Sequence, residues 1–131
     1  MKKVLLGFAV IMLAVVAVSC SSKSNSPKDV AETFIQAMKS KNYEKAADCF
    51  YYEGTKDEIM ADRAQVVAFM EKAGQSMEKD GGIKSYKINS IDEDGDKAVV
   101  KGEITYGNGE VDDDEIKTIK VDDKWYVDLD K

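Results

Sequence analysis

Histidine is absent from this 131-residue chain, which holds two cysteines, one proline and one tryptophan, and Arg63 as its single arginine. Without histidine there is no Ser-His-Asp or Cys-His nucleophilic system, no His-ligated zinc and no ordinary general base near neutral pH. Acid–base chemistry would have to come from carboxylates, tyrosines or lysines. One guanidinium supplies bidentate phosphate recognition poorly. The net charge of −6 opposes nucleic-acid binding, so no nucleic-acid partner is expected. Nothing in the pattern calls for a cofactor or a resident metal.

What the chain does have is a distinctive start. Lys2 and Lys3 precede an unbroken apolar run from Val4 to Val18, and Ala17-Val18-Ser19-Cys20 closes it. Fifteen apolar residues fall short of the ~20 that span a bilayer and match the core of a signal peptide. The cysteine at the small-residue site resembles the lipobox of bacterial lipoproteins, with Ala17 where leucine is usual. That resemblance implies that residues 1–19 are removed and that Cys20 is acylated and anchors the chain in a lipid bilayer. An ordinary secretory signal, leaving Cys20 as a free thiol, and an uncleaved anchor helix are the alternatives.

Removing residues 1–19 takes away two lysines and moves the net charge from −6 to −8. Residues 20–26 then read as the lipidated cysteine and a short polar tether that holds the domain near the membrane. Inner-membrane lipoproteins often carry Asp beside the cysteine. Ser21 stands here, so the resemblance implies the outer membrane, and the lack of an acidic run after Cys20 favours its periplasmic face. With Cys20 acylated, Cys49 has no intrachain partner and is expected to be buried as a small hydrophobe.

Residues 27–131 read as one domain. Ser26, Pro27 and Asp29 form a helix start, and Val30, Phe34, Ala37 and Met38 recur at helical spacing. Asn42 caps a second helix marked by Tyr43, Ala46, Ala47 and Phe50. Thr55 and Glu58 form a capping box for a third, whose stripe runs through Ile59, Val66, Val67, Met70 and Met77. Beyond Gly82 the period becomes two. Ile83 and Ile91 fall out of phase with Tyr86 and Ile88, which predicts a bulge. Asp92 to Asp96 reads as a turn. Ala98, Val100, Gly102, Ile104 and Tyr106 share one face of the next strand, and Gly102 at its middle predicts a bend or a close approach. Gly107-Asn108-Gly109 is a hairpin signal, Asp112 to Glu115 an acidic stretch expected at an exposed edge, and Trp125, Val127 and Leu129 a last strand. The expected fold class is α+β: three N-terminal helices packed on a curved antiparallel sheet of about four strands.

The Pro-started first helix, Asn42-Tyr43-Glu44-Lys45-Ala46 opening the second, and Lys124-Trp125-Tyr126-Val127-Asp128 near the end resemble the nuclear transport factor 2-like (cystatin-like) superfamily. Within it they are similar to small bacterial lipoproteins of unknown function. The resemblance implies a cone-shaped domain whose interior can hold an apolar ligand, with Phe34, Phe50, Tyr106 and Trp125 as its expected lining. It implies a binding or accessory role rather than catalysis, for a small apolar ligand or an envelope protein. Members resembling ketosteroid isomerase pair an Asp with a Tyr in an apolar cavity; Tyr43, Tyr51, Tyr52, Tyr106 and Tyr126 beside Asp48 and Asp128 are the candidates for an isomerase- or dehydratase-type alternative. A structural homodimer, paired through the outer sheet face, is a third reading. Asp92, Asp94, Asp96 and Glu103 imitate part of a calcium loop, but Lys97 occupies the position where the turn needs glycine, so a solvated hairpin is expected there.

Overall fold

The computed structural model describes residues 26–129. Its elements are α1 (Pro27–Lys39), α2 (Tyr43–Asp48), α3 (Lys56–Glu78), β1 (Ile83–Asp94), β2 (Lys97–Tyr106), β3 (Val111–Val121) and β4 (Lys124–Val127). The four strands form an antiparallel meander in sequence order. α1 packs across all four strands, α2 folds back along α1, and α3 packs on α2. The expected α+β architecture is the observed one.

Each helix starts where its cap dictates. The Asp29 amide donates to Ser26 Oγ at 3.1 Å, and Pro27 occupies the first turn, where its missing N–H costs nothing. Asn42 Oδ1 accepts from the Lys45 amide. Thr55 and Glu58 make the reciprocal capping box. α1 buries Val30, Ala31, Ile35, Ala37 and Met38, while Phe34 is half-buried beside them. In α3, Val66 and Met70 are buried and Gly74 admits the Tyr43 ring; a Cβ there would overlap the Tyr43 hydroxyl. Arg63 Nε donates to Asp48 at 2.7 Å and its Nη2 reaches the Glu44 carbonyl, tying α3 to the end of α2.

The β1–β2 register slips twice, between Ile83 and Ser85 and between Ile88 and Ser90. These bulges restore Ile91 to the inner face, as its phase demanded. The acidic turn is shorter than expected. Asp92 and Asp94 belong to β1, paired with Val99 and Lys97, and only Gly95 and Asp96 turn the chain. Strand alternation sends neighbouring carboxylates to opposite faces, and Asp92 pairs with Lys101 at 3.2 Å. The last hairpin turns at Asp122 and Asp123, both at positive φ. β4 is short, but the end of α2 completes its outer edge: the Val127 amide donates to the Cys49 carbonyl and the Tyr51 amide to that of Val127. β3 exceeds β4 in length, so Asp112 to Glu115 lies where β4 does not reach.

Two clusters make the interior. One joins Val30, Ala31, Ile35 and Cys49 to the concave face of the sheet, through Ala98, Val100, Ile104, Tyr106, Ile116, Trp125 and Val127. The other joins Ala37, Met38, Ala46 and Ala47 to Val66 and Met70. Thr118, buried among apolar side chains, donates its hydroxyl to the Ala98 carbonyl at 2.9 Å, which removes the desolvation penalty. Cys49 is buried and free, and burial pushes its thiol up to about 11. Among the described residues no helix is long and apolar enough to cross a membrane.

Candidate functional site

Phe34, Phe50, Tyr106 and Trp125 all belong to the cluster under the concave sheet face. The Phe34 and Phe50 rings meet edge to face, with centroids 5.5 Å apart. Tyr106 is 7% exposed and Trp125 5%, with Lys120 Nζ lying 5.9 Å from the centre of the Trp125 ring. These four are brought together, and they pack on one another and on α1. Cys20, the expected lipidation site, lies outside the described residues, as do the signal segment and most of the tether.

Phe50 also faces outward. It lines a groove of about 600 Å³ with Asp62, Gln65, Val66, Phe69, Met70 and Leu129. α3 supplies one wall at helical spacing, and the chain after β4 contributes Leu129. Phe69 is 65% exposed on this rim, an unusual cost for a large apolar side chain. Of the four residues expected to line a ligand site, only Phe50 lies on this groove. Val66 and Met70 were legible as a helical stripe; Phe69 was not, because its phase lies outside that stripe.

A second polar feature sits on the concave face. Gly102 of β2 lies between Ile88 of β1 and Asp114 of β3. The Tyr86 ring covers it: a Cβ on Gly102 would stand 3.0 Å from Tyr86 Cε1 and 2.5 Å from the Lys87 carbonyl oxygen. The glycine therefore makes room for the tyrosine, the close approach its mid-strand position predicted. Tyr86 Oη and Asp114 Oδ2 are both buried, and neither has a hydrogen-bond partner among the described residues. Burial, then the negative charges of Asp114 and Glu32, push the Tyr86 phenol up to about 12. Burial, followed by Glu115, raises the Asp114 carboxyl above its ordinary range. Tyr106 is raised by burial and by Asp112 and Asp114. Asp112 to Glu115 is thus not wholly an exposed edge, because strand alternation turns Asp114 inward.

The other tyrosines and aspartates stand apart. Tyr43 is packed against Gly74, Tyr52 donates to the Ala47 carbonyl at 2.7 Å, Tyr51 and Tyr126 pack ring on ring, and Asp48 is bound to Arg63. None forms a sealed Asp–Tyr pair. Tyr86 and Asp114 were not singled out by sequence reasoning, although the signal existed: an interior glycine opposite an acid of inward parity.

The raised phenols have a pH consequence. Tyr86 keeps its proton in the folded state to about 12, while the unfolded chain loses it near 10.0. Tyrosine is neutral when protonated, so stability is level below pH 10 and falls as pH rises from 10 towards 12. Tyr86→Phe is expected to make this alkaline loss shallower without abolishing it, because Tyr52 is also raised to about 12. Urea denaturation between pH 8 and 11 measures it; an unchanged slope would contradict the burial of the Tyr86 hydroxyl.

A helical layer on the concave face of an open four-stranded meander defines an α+β protein of the nuclear transport factor 2-like fold. The chain belongs to the family described as DUF4878, a domain of unknown function, which it matches over residues 18–128. Solved structures agree on the fold. A protein described as "Putative NTF2-like transpeptidase" from Campylobacter jejuni is 18% identical, with a TM-score of 0.70 over 79% of this chain and 98% of that one. A SEC-C motif containing protein from Rhodopseudomonas palustris is 11% identical, with a TM-score of 0.57 over 85% of this chain and 81% of that one. A DUF4783 family protein from Bacteroides ovatus is 13% identical, with a TM-score of 0.50 over 73% and 86%. No curated protein matches the sequence.

Proposed function

We propose that this protein is a lipid-anchored binding lipoprotein of the bacterial cell envelope whose domain holds a small apolar ligand in the α3 groove. The groove carries this reading: about 600 Å³ walled by Phe50, Val66, Phe69, Met70 and Leu129, with Asp62 and Gln65 as its polar members. Small-molecule sites have this size and this mostly apolar lining. The concave core, with its aromatics packed on one another, suits a supporting role. Anchoring rests on the charged start, the Val4–Val18 run and Cys20, with the outer membrane as destination because Ser21 follows the cysteine and its periplasmic face because no acidic run does. The acidic body has no attraction for anionic lipid headgroups, so the bilayer is held through the acylated cysteine alone.

N-phenyl-1-naphthylamine, a neutral apolar fluorophore, tests the groove. The fragment from Ser21 onward is expected to bind it saturably, and Phe69→Ala to weaken binding about tenfold, or ~1.4 kcal/mol. Identical titrations for the two proteins would rule the groove out. For the anchor, Cys20→Ala is expected to move the protein out of the membrane pellet.

A carboxylate/tyrosine enzyme is the second reading, favoured by one observation: the raised Asp114 carboxyl beside the raised Tyr86 phenol. A carboxyl raised above its ordinary range by burial is a usable proton-transfer group. The two polar atoms are buried and do not hydrogen-bond to each other.

A further inference from the structure

The sheet has two edges, and they are built differently. β1 forms one, and its ladder with β2 slips twice. Bulges of that kind twist an edge and spoil it for further pairing. On the other side β4 covers β3 only from Val121 back to Thr118, and the stretch from Val111 to Glu115 has no neighbouring strand there. This stretch keeps an unbroken register with β2. The Asp128 amide donates to the Lys117 carbonyl, so the Lys117 backbone faces the β4 side. Alternation by two turns the amides and carbonyls of Val111, Asp113 and Glu115 the same way. Among the described residues nothing bonds to these outward amides and carbonyls. Val111 is 53% exposed, and Asp112, Asp113 and Glu115 are exposed with it.

The side chains beside this edge select what can pair with it. On the convex face Lys87, Glu103 and Asp113 lie in one row across β1, β2 and β3. Glu103 has Lys87 on one flank and the like-charged Asp113 on the other, an unfavourable neighbour. Asp113 forms no ion pair among the described residues, and its outer flank is the open edge. A cation placed on that flank would give each acid in the row one positive neighbour.

We infer that the Val111–Glu115 edge of β3 receives an extended, basic segment of a partner protein as a fifth strand of the sheet. Main-chain bonds to Val111, Asp113 and Glu115 hold such a strand, and its alternate side chains give selectivity. Running antiparallel to β3, as β4 does, it sets cationic residues beside Glu115 and Asp113 and a β-branched apolar one beside Val111. The pattern is Lys-x-Lys-x-Val. A second copy of this chain is unsuited, because pairing the edge with itself sets Asp113 on Asp113 in a body of net charge −6. The ladder is short and its charges are exposed, so the complex is expected to weaken as salt is added. The α3 groove plays no part: fluorophore binding reads the groove and peptide binding the edge, and either can fail alone.

The test titrates the full chain, in a neutral detergent, against the fluorescent peptide Thr-Lys-Thr-Lys-Thr-Val-Thr and reads anisotropy. Saturable binding is expected. Methylating the backbone amides of the two lysines keeps every charge but removes ladder donors, and should weaken binding about tenfold. Replacing both lysines by glutamate should weaken it at least as much. On the protein, Asp113→Lys should cost about tenfold, whereas Glu93→Lys on the β1 edge should change binding less than about twofold. Absence of saturable binding overturns the proposal. Equal binding of the methylated peptide overturns strand addition and leaves charge attraction alone. An equal loss with Glu93→Lys overturns the β3 edge as the place. A dimer of the chain that Val111→Pro dissolves would put a second copy on this edge and overturn the partner.

Discussion

Trp125→Ala is expected to destabilise the domain by about 3–5 kcal/mol, the largest effect of any single truncation. The indole is 5% exposed and stands on β4, a strand of only four residues. It packs in the cluster that joins α1 to the sheet, and Lys120 of β3 covers its ring. Truncation loses the transfer free energy of the ring and leaves a cavity in the cluster between α1 and the sheet that surrounding side chains fill only in part. β4 matters beyond its length, because Val127 receives the end of α2 through the bonds to Cys49 and Tyr51. For a domain of this size the loss corresponds to a fall in Tm of more than about 12 °C. Thermal unfolding followed by near-ultraviolet circular dichroism measures it. A fall of only a few degrees would mean that the cone interior can collapse around the gap, and that the core is looser than its burial implies.

Gly102→Ala is expected to cost about 3 kcal/mol, although it adds a single methyl group. The new Cβ would lie 2.5 Å from the Lys87 carbonyl oxygen and 3.0 Å from Tyr86 Cε1. A side chain can yield by changing rotamer, but a backbone carbonyl inside a ladder cannot move without disturbing its neighbours. Adding Tyr86→Ala should therefore relieve only part of the loss, with about 1 kcal/mol of coupling between the two changes. Urea denaturation of the single and double variants gives that coupling. Full relief by Tyr86→Ala would show that the ring alone requires the glycine; no relief would show that only the carbonyl does.

Both predictions concern residues whose importance was partly visible in the sequence. Trp125 and Val127 alternate on one face, so their strand and its inward side could be read directly, whereas Leu129, read with them, lies past the end of β4 and lines the α3 groove. Gly102 inside an alternating strand announced a close approach. What covered it could not be read, because Tyr86 reaches it across a strand pair whose register depends on two bulges. The acidic segments show the same division. Asp92, Asp94 and Asp96 read as one turn, yet two of them extend β1, because the two-residue Gly95-Asp96 turn suffices to reverse the chain. Asp114 read as part of an exposed run, yet parity sends one of its oxygens into the interior.

The sequence by itself determined the α+β class, the start of each helix and the inward faces of the strands. Caps, glycines and hydrophobic periodicity are local signals, acting over three or four residues. It also excluded histidine chemistry outright. Only the tertiary structure decided that Phe34, Phe50, Tyr106 and Trp125 pack as one cluster, and that Tyr86 and Asp114 converge over Gly102. It also decided that α3 turns Phe69 outward, onto the rim of the groove. These depend on which elements lie side by side, and that choice follows from how the whole core packs, a property no short stretch of residues contains.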